Sequence, residues 1–442
     1  MLDSVLRQIK KVIPTRLFKM AQPPYHYLLA LTGAIIYGFP SRKIKVIGVT
    51  GTKGKSSTVE ILNTILEEAG YKTSLAGTVR FKIGGEARAN LYKMTIPGRF
   101  FVQKFLREAV DTKCDYAILE MTSEGAKQFR HKFIEWDALL FTNLSPEHIE
   151  SHGSYEKYVA AKLSIAEAVA KSNKERRILV ANADEKESEK FLAINNLEKF
   201  TYTLTDAEPF ALNNDGTEIT LVGEKINTHL PGIFNISNML AAVTFAKTQG
   251  VSLEIIKKAL ETYKGTLGRV QRINLDETDP IRALQDFRVI VDYAHTADSL
   301  EKVYRVFTDG RRIGVLGNTG GGRDKWKRPD MGKIADRYCD YVILTNEDPY
   351  DEDPQAIVDQ MAVEVRNKPL EIIMDRRAAI HRAVEIAANK ELGPEPKAYT
   401  VIITGKGTDP YIMGPNGAKE IWSDAQVAQE ELKAVLEAKT AI

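Results

Sequence analysis

Short apolar runs separated by amphipathic stretches set the rhythm of this chain. Val46, Ile47 and Val49 form the first clear run, and Ser57 to Ala69 follows with Val59, Ile61, Leu62, Ile65 and Leu66 at helical spacing. A short continuous apolar run reads as a buried strand; a three-to-four-residue recurrence reads as a helix packed by one face. Further runs at Tyr116–Leu119, Leu139–Phe141, Ile178–Ala181, Val289–Val291, Ile313–Leu316, Tyr341–Leu344 and Val401–Ile403 alternate with helical patterns such as Tyr155–Ala170 and Ile236–Thr248. This alternation predicts an α/β protein with a largely parallel, doubly wound sheet.

The rhythm breaks between Lys199 and His229, where Thr217–Val222 and Lys225–His229 read as an antiparallel hairpin. A second α/β series begins near Arg282, after the Gly265-Thr266-Leu267-Gly268-Arg269 segment. The expected plan is a short N-terminal helical segment over 1–44, a central P-loop domain with a parallel sheet over 45–268, and a C-terminal Rossmann-like α/β domain over 269–442. Within the first segment, Met1 to Lys19 is basic and amphipathic, and Tyr25 to Phe39 is apolar but interrupted by His26, Thr32 and Gly33. That stretch is short for a bilayer span and no signal-peptide cleavage pattern accompanies it, so a packed helix is expected rather than a membrane-surface one.

Composition changes this picture little. Hydrophobic content of 43%, charged content of 27% and a net charge of +2 describe an ordinary globular chain. They give no argument for nucleic acid or membrane as a bulk partner. The two cysteines, Cys114 and Cys339, form no CxxC pair, so neither a zinc ribbon nor a disulfide framework is available from cysteine alone. A cytoplasmic monomer acting on small molecules is expected.

The candidate chemistry begins where the first strand ends. Residues 48–58 read Gly-Val-Thr-Gly-Thr-Lys-Gly-Lys-Ser-Ser-Thr and open a helix. Gly51, Thr52, Lys53, Gly54, Lys55, Ser56 and Ser57 therefore form a candidate ATP-binding loop. Backbone N–H groups and the helix N-terminus attract phosphate, Lys55 would pair with the β/γ-phosphates, and the Ser56 hydroxyl would meet Mg²⁺. Glu120 closes the strand Tyr116–Leu119, at the carboxyl end where open α/β sheets bind ligands, and is a candidate Mg²⁺ ligand.

The loop departs from the general P-loop spacing, since its first glycine, Gly48, stands one position early. In this it resembles the Thr-Gly-Thr-x-Gly-Lys-[Ser/Thr] loop of the Mur ligase family. Asn143-Leu144 to Glu147-His148 and His152-Gly153, followed by Tyr158 to Lys162, resembles the same family, and specifically its UDP-N-acetylmuramyl-tripeptide synthetases. So does the loop from Gly317 to Pro329, with its Gly-Gly-Arg-Asp-Lys run. The resemblance implies that His148 is a ligand of a second Mg²⁺ and that Lys162 carries a CO₂-derived carbamate that can join the metals. With Lys55 and Glu120 these form the implied catalytic set; Ser56, Glu120, His148 and carbamylated Lys162 form the implied metal set. Asn143, Asn235 and Asn238 in Pro231 to Asn238, Arg269 at the hinge, and Asp292 in Asp-Tyr-Ala-His would contact ATP.

By the same resemblance Thr95, Thr122, Ser123 and Arg130 would contact the acceptor, with Glu124 where the family has His. Asp348, Tyr350, Gly405 and Asp409 would lie on the amino-acid side. The diaminopimelate-adding members carry Asp-Asn-Pro-Arg where this chain has Glu347-Asp348-Pro349-Tyr350, so the cationic clamp for a distal carboxylate is missing; the acidic residues favour a distal amine, as in lysine. Only 44 residues precede Lys45, whereas tripeptide synthetases carry a further N-terminal domain for the UDP end; either UDP is held differently or the acceptor is not a UDP-sugar peptide. The implied activity is ATP-dependent, ADP-forming amide ligation through an acyl-phosphate, in peptidoglycan synthesis. The alternatives are a related ligase with another carboxylate acceptor (folylpolyglutamate-, cyanophycin- or lipid-linked-type) or a nucleotide-binding regulator without catalysis.

Overall fold

Val46, Ile47 and Val49 are fully buried, as a strand covered on both faces requires. The computed structural model describes residues 15–147, 152–322, 325–394, 396 and 398–440, with side chains from residue 22 onward. The chain divides into two compact units: one runs to Leu204 and includes Ser237–Ala259, the other comprises Thr205–Ile236 and Leu260–Ile442.

In the first unit the elements are α1 (Thr15–Ile36), β1 (Lys45–Thr50), α2 (Lys55–Glu68), β2 (Thr73–Ala76), β3 (Arg80–Ile83), β4 (Glu86–Ala89), α3 (Arg99–Asp111), β5 (Tyr116–Met121), α4 (Ser123–Lys127), β6 (Ala138–Phe141), α5 (Tyr155–Ala170), β7 (Ile178–Asn182), α6 (Ser188–Leu192) and β8 (Glu198–Tyr202). The described strands form one sheet in the order β4-β3-β2-β5-β1-β6-β7-β8. β2, β5, β1, β6, β7 and β8 run parallel, and β3 and β4 turn back antiparallel. Thr50 is level with Met121 on one side and Phe141 on the other, so the loops that follow β1, β5 and β6 leave the same sheet edge together. That register assembles the candidate site.

The N-terminal helix is packed along one stripe only, while Tyr25, Leu28, Ile35 and Ile36 are exposed. Ala30, Gly33 and Ala34 are buried, and a Cβ on Gly33 would lie 3.5 Å from the Phe100 Cα of α3. Small residues along one stripe let the two helix backbones approach. Pro23 and Pro24 lie inside α1, where each removes a backbone donor. Among the described residues no helix is long and apolar enough to cross a membrane.

The second unit holds β9 (Ala211–Asn213), β10 (Gly216–Leu221) and β11 (Glu224–Thr228) as a small antiparallel sheet. Helices α7 (Ile233–Thr248) and α8 (Leu253–Thr262) follow in the chain. Then come β12 (Gln271–Ile273), β13 (Arg288–Asp292), α9 (Ala297–Tyr304), β14 (Arg311–Leu316), α10 (Lys327–Tyr338), β15 (Tyr341–Leu344), α11 (Pro354–Ala362), β16 (Leu370–Ile372), α12 (Arg376–Ala388), β17 (Tyr399–Thr404), β18 (Tyr411–Met413), β19 (Lys419–Ile421) and α13 (Asp424–Thr440). The larger sheet runs β12-β13-β17-β14-β15-β16, parallel except for β12. The hairpin foreseen around Thr217–His229 is present, but it groups with this unit rather than with the P-loop unit. Asp215, in the turn before β10, pairs with Arg272 and Arg288 of the larger sheet, which ties the small sheet to it.

Candidate active site

The phosphate loop is shaped by close approach. Gly51 has φ +151°, and a Cβ there would sit 2.0 Å from Thr142 Oγ1. Gly54 has φ +81°, and its Cβ would sit 2.2 Å from Asn238 Oδ1. Only glycine meets both conditions. Asn143 pins the loop from the end of β6: its carbonyl accepts from Thr52 N (2.9 Å), its Oδ1 from Lys53 N (2.8 Å), and its Nδ2 donates to Lys53 O (3.0 Å). Asn143 therefore holds the loop itself. Lys55 Nζ folds back over the loop and donates to Gly51 O (3.1 Å) and Thr52 O (2.9 Å). Ser57 is buried in the first turn of α2, whose N-terminal N–H groups face the loop.

Glu120 is 3% exposed at the end of β5. Ser56 Oγ donates to its carboxylate at 3.1 Å, Thr78 N at 2.8 Å and Thr78 Oγ1 at 3.0 Å. Sequence reasoning missed Thr78; its signal is its position just past β2, the strand beside β5. Thr78 Oγ1 also lies 2.9 Å from Thr95 Oγ1, so Thr95 stands one hydroxyl away from the carboxylate. One carboxylate and hydroxyl oxygens suit Mg²⁺, a hard cation that takes few protein ligands and keeps waters and substrate phosphate oxygens. Consistent with that, no group of three or more His, Cys, Asp or Glu gathers among the described residues. His148, the implied second metal ligand, lies outside the described residues. Glu147 beside it pairs with Lys53 at 2.7 Å.

Lys162 is reached from the other side. On α5 it is 1% exposed, and its Nζ donates to Gly51 O at 2.5 Å. Burial first, then the charge of Lys55, holds this amine well below its ordinary pKa. Tyr158, one turn earlier on α5, puts its ring 4.9 Å from the Lys162 ammonium and its hydroxyl 2.8 Å from Thr52 Oγ1. Burial pushes this phenol up, so it stays protonated. Tyr158 opens the run to Lys162 noted in the sequence, where no role was assigned to it; it lies four residues before Lys162 on the same helix.

On the acceptor side, Thr122 uses its Oγ1 to cap α4, accepting from Gly125 N at 3.0 Å. Ser123 Oγ is 3.1 Å from His152 Nε2, which also lies 3.4 Å from Glu124. Arg130 donates to Ile96 O and to Gln128 Oε1 (2.8 Å), next to Thr95.

In the second unit several of the expected site residues also anchor loops. Asp292 accepts from Val270 N (2.7 Å) and Ala294 N (2.6 Å). Asn235 Nδ2 donates to Pro231 O at 2.9 Å. Arg269 Nη1 donates to Gly268 O at 2.8 Å, with its guanidinium 4.5 Å over the Tyr293 ring. Asp348 accepts from Lys406 Nζ and Met413 N, each at 2.8 Å, and Lys406 also reaches Asp409 at 3.3 Å. Tyr350 has φ +52°. Gly405 leaves room for the buried Glu347, since a Cβ would lie 2.3 Å from its Oε2. Burial raises the Glu347 pKa. Glu347 and Lys406 were missed as members of this cluster.

Residues 49–246 match the Mur ligase middle domain and residues 268–407 match the Mur ligase, glutamate ligase domain. The chain is 34% identical over 395 residues to a UDP-N-acetylmuramoyl-L-alanyl-D-glutamate–2,6-diaminopimelate ligase of Clostridium tetani, covering 87% of this chain and 76% of that one. It is 35% identical over 439 residues to a UDP-N-acetylmuramyl-tripeptide synthetase of a Roseiflexus species, covering 93% and 82%. Among solved structures, a UDP-N-acetylmuramoyl-L-alanyl-D-glutamate–2,6-diaminopimelate ligase aligns with a TM-score of 0.59 at 24% identity over 90% of this chain and 79% of that one. Mycobacterium tuberculosis folylpolyglutamate synthase with ADP aligns at 0.69 and 16% identity over 86% and 92%. These two likenesses concern the fold.

Proposed function

The chain belongs to the Mur ligase family, whose members use ATP and Mg²⁺, and from that premise we propose how its residues carry out ATP-dependent ligation of an amino acid to a muramyl-peptide acceptor. The acceptor is UDP-N-acetylmuramoyl-L-alanyl-D-glutamate, the substrate after which the diaminopimelate-adding relatives are named, and the work is done in the cytoplasm by a monomer. The observation that carries the reading is the convergence of Lys55 and Lys162 on the Gly51 carbonyl beside the Ser56–Glu120 pair.

ATP lies along the N-terminus of α2, with Lys55 turned onto its terminal phosphates. Ser56 and Glu120 would hold Mg²⁺, which when bound would supply charge neutralisation for phosphoryl transfer. Thr78 orients the Glu120 carboxylate through two hydrogen bonds. One acceptor carboxylate attacks the γ-phosphorus, giving an acyl-phosphate and ADP. The amine of the incoming amino acid then attacks the acyl carbon, phosphate leaves, and an amide forms.

Lys162 carries a carbamate in the working enzyme. A neutral amine is the form that takes up CO₂, with loss of one proton, and burial supplies that form. The resulting anion replaces a cation that would be repelled by bound metal. His148 completes the metal set. Thr95, Ser123 and Arg130 face the acceptor.

The amino acid has a distal amine. Glu347, Asp348 and Asp409 gather around Lys406, which bridges two of them, so the cluster offers carboxylates to an amine. Diaminopimelate and lysine both meet this requirement. The test is phosphate release from ATP and Mg²⁺ with the UDP-muramyl dipeptide and each amino acid in turn, with product mass. A mass gain with one amino acid supports the reading and names the substrate; silence with every amino acid overturns it.

A further inference from the structure

Arg99 and Arg130 converge on Gln128, and neither has a carboxylate hydrogen-bond partner among the described residues. Arg99 Nε donates to Gln128 O at 2.8 Å, and both guanidinium groups share Gln128 Oε1. Arg130 is 8% exposed, and its Nε has no hydrogen-bond partner among the described residues. Burial, then Arg99, lowers Arg130 to about 10; burial also lowers Arg99. Glu124 offsets this only in part, so a buried and a half-buried cation stand here with one partly exposed carboxylate nearby, and a bound anion would relieve the remaining cost.

A third group comes from the N-terminal helix. His26 has a buried Nδ1 with no hydrogen-bond partner among the described residues. Burial first, then Arg99 and Arg130, pulls its pKa down to about 4, so the imidazole is neutral at neutral pH and can donate an N–H. Tyr27, the next residue, packs edge-on against Phe129 (6.1 Å) and Phe133 (5.0 Å), which flank Arg130, and Gly33 seats the helix on Phe100. His26 is thus delivered to the arginines by a packed element.

We propose that α1 is part of the acceptor site, and that His26, Arg99 and Arg130 together bind the second, non-reacting carboxylate of the acceptor's glutamyl residue. This rests on the ligase reading above, where one of the two glutamate carboxylates is phosphorylated and the other remains an anion. The placement fits. Arg130 bonds the Ile96 carbonyl, Thr95 is the preceding residue, and Thr95 is linked through Thr78 to Glu120. Asn90 fixes this connection by donating to Gly77, Met94 and Thr95 carbonyls at 2.9, 3.1 and 3.2 Å. Arg130 was expected at the acceptor from sequence; His26 and Arg99 were not, and they give the helix ahead of the first strand a role.

The test uses the full chain and two acceptors, the UDP-muramyl dipeptide and its analogue with the non-reacting glutamyl carboxylate converted to an amide. The wild type should show a KM for the amide at least about tenfold above that for the acid, as loss of a charge-assisted contact worth about 1.5–3 kcal/mol implies. Arg99→Gln and His26→Gln should raise KM for the acid and shrink the acid–amide difference, with kcat changed less, while melting temperatures confirm folding. Equal use of acid and amide by the wild type, or an unchanged acid–amide ratio in both variants, would overturn the proposal. So would a loss of UDP binding in Arg99→Gln with dipeptide binding intact, since that assigns the cluster to phosphate. If the wild type turns over neither acceptor, the ligase reading fails. Calorimetric binding of L-alanyl-D-glutamate to the wild type and to Arg99→Gln then tests the cluster by itself.

Discussion

Lys162 Nζ and the Gly51 carbonyl are hydrogen-bonded at 2.5 Å, so the amine on α5 touches the first glycine of the phosphate loop. Lys55 donates to the same carbonyl. Burial first, and then the neighbouring Lys55, disfavours the charged form of Lys162. Lys162→Met keeps the packing and removes the nitrogen. It should lower kcat by about 10²-fold or more, in the range of losing a group that stabilises transition-state charge. Wild-type activity should fall when dissolved CO₂ is stripped and return with bicarbonate. A ¹³C-carbamate signal should appear in the wild type under ¹³CO₂ and be absent from Lys162→Met; an identical signal in both would exclude the modification at this residue.

Gly54 and Asn238 offer a test of the loop that does not touch a charged group. Gly54→Ala introduces a methyl 2.2 Å from Asn238 Oδ1 at a residue with φ +81°. Loop distortion should weaken ATP binding at least about tenfold. Adding Asn238→Ala removes the steric part; measured against Asn238→Ala alone, which carries any contact of Asn238 to the nucleotide, the loss that remains is the left-handed backbone cost, about 1–2 kcal/mol. Titration of a fluorescent ATP analogue should therefore find a smaller loss from Gly54→Ala in the Asn238→Ala background than in the wild type. An equal loss in both backgrounds would mean that backbone strain, not Asn238, accounts for it.

The strands and helices that bury apolar faces were legible in the chain. β1, β5, β6, β7, β13, β14, β15 and β17 were all anticipated, because a parallel sheet covered on both sides demands apolar runs. β8 was not: its Glu198, Lys199 and Thr201 are exposed, as befits an edge strand. β4 was equally hidden, with every side chain exposed. In the site, Gly51, Gly54, Ser56 and Glu120 could be read from a local motif and a strand end. Thr78 and Tyr158 could not, because their role depends on which strand lies beside β5 and which helix face turns to the loop. Asn143, Thr122 and Asp292 are expected from sequence at ligands, and in the structure their side chains also accept from or donate to nearby backbone. A polar residue at a strand end serves a turn and a ligand with the same chemistry, and sequence spacing does not separate the two.

His131 predicts an acid limit to stability. It is 1% exposed, and both ring nitrogens have no hydrogen-bond partner among the described residues. Burial, then Lys132, depresses its pKa from 6.5 to about 3. The folded protein keeps the ring neutral while the unfolded chain takes up a proton below 6.5. Stability is therefore lost as pH falls from about 6.5 toward 3, at up to about 1.4 kcal/mol per pH unit. His131→Leu should flatten this slope. Urea unfolding at pH 7 and pH 5 measures it; equal losses in the wild type and the variant would show that other groups set the acid limit.

Arg376 and Asp424 join the start of α12 to the start of α13, and both are almost wholly buried. Arg376 Nε and Nη2 donate to the carboxylate at 2.8 and 2.7 Å, Trp422 Nε1 adds a third bond at 2.8 Å, and Arg376 Nη2 also donates to Thr404 O at the end of β17. Burial opposes the arginine's charge, but Asp424 more than offsets it and raises the pKa above its ordinary value. Breaking such a pair leaves a buried charge with no partner, at about 3–5 kcal/mol. Asp424→Ala should therefore shift the denaturant midpoint sharply downward. The companion Arg376→Met, Asp424→Leu variant has no stranded charge and should recover a large part of that loss, because apolar replacements of a buried pair are often neutral. Arg376 also donates to the Asn346 carbonyl, at the start of the loop that holds Glu347 and Asp348. The double variant should then be stable yet have a raised KM for the amino acid, separating the pair's part in folding from its part in holding that loop. Normal KM values in a stable double variant would confine the pair to a structural role.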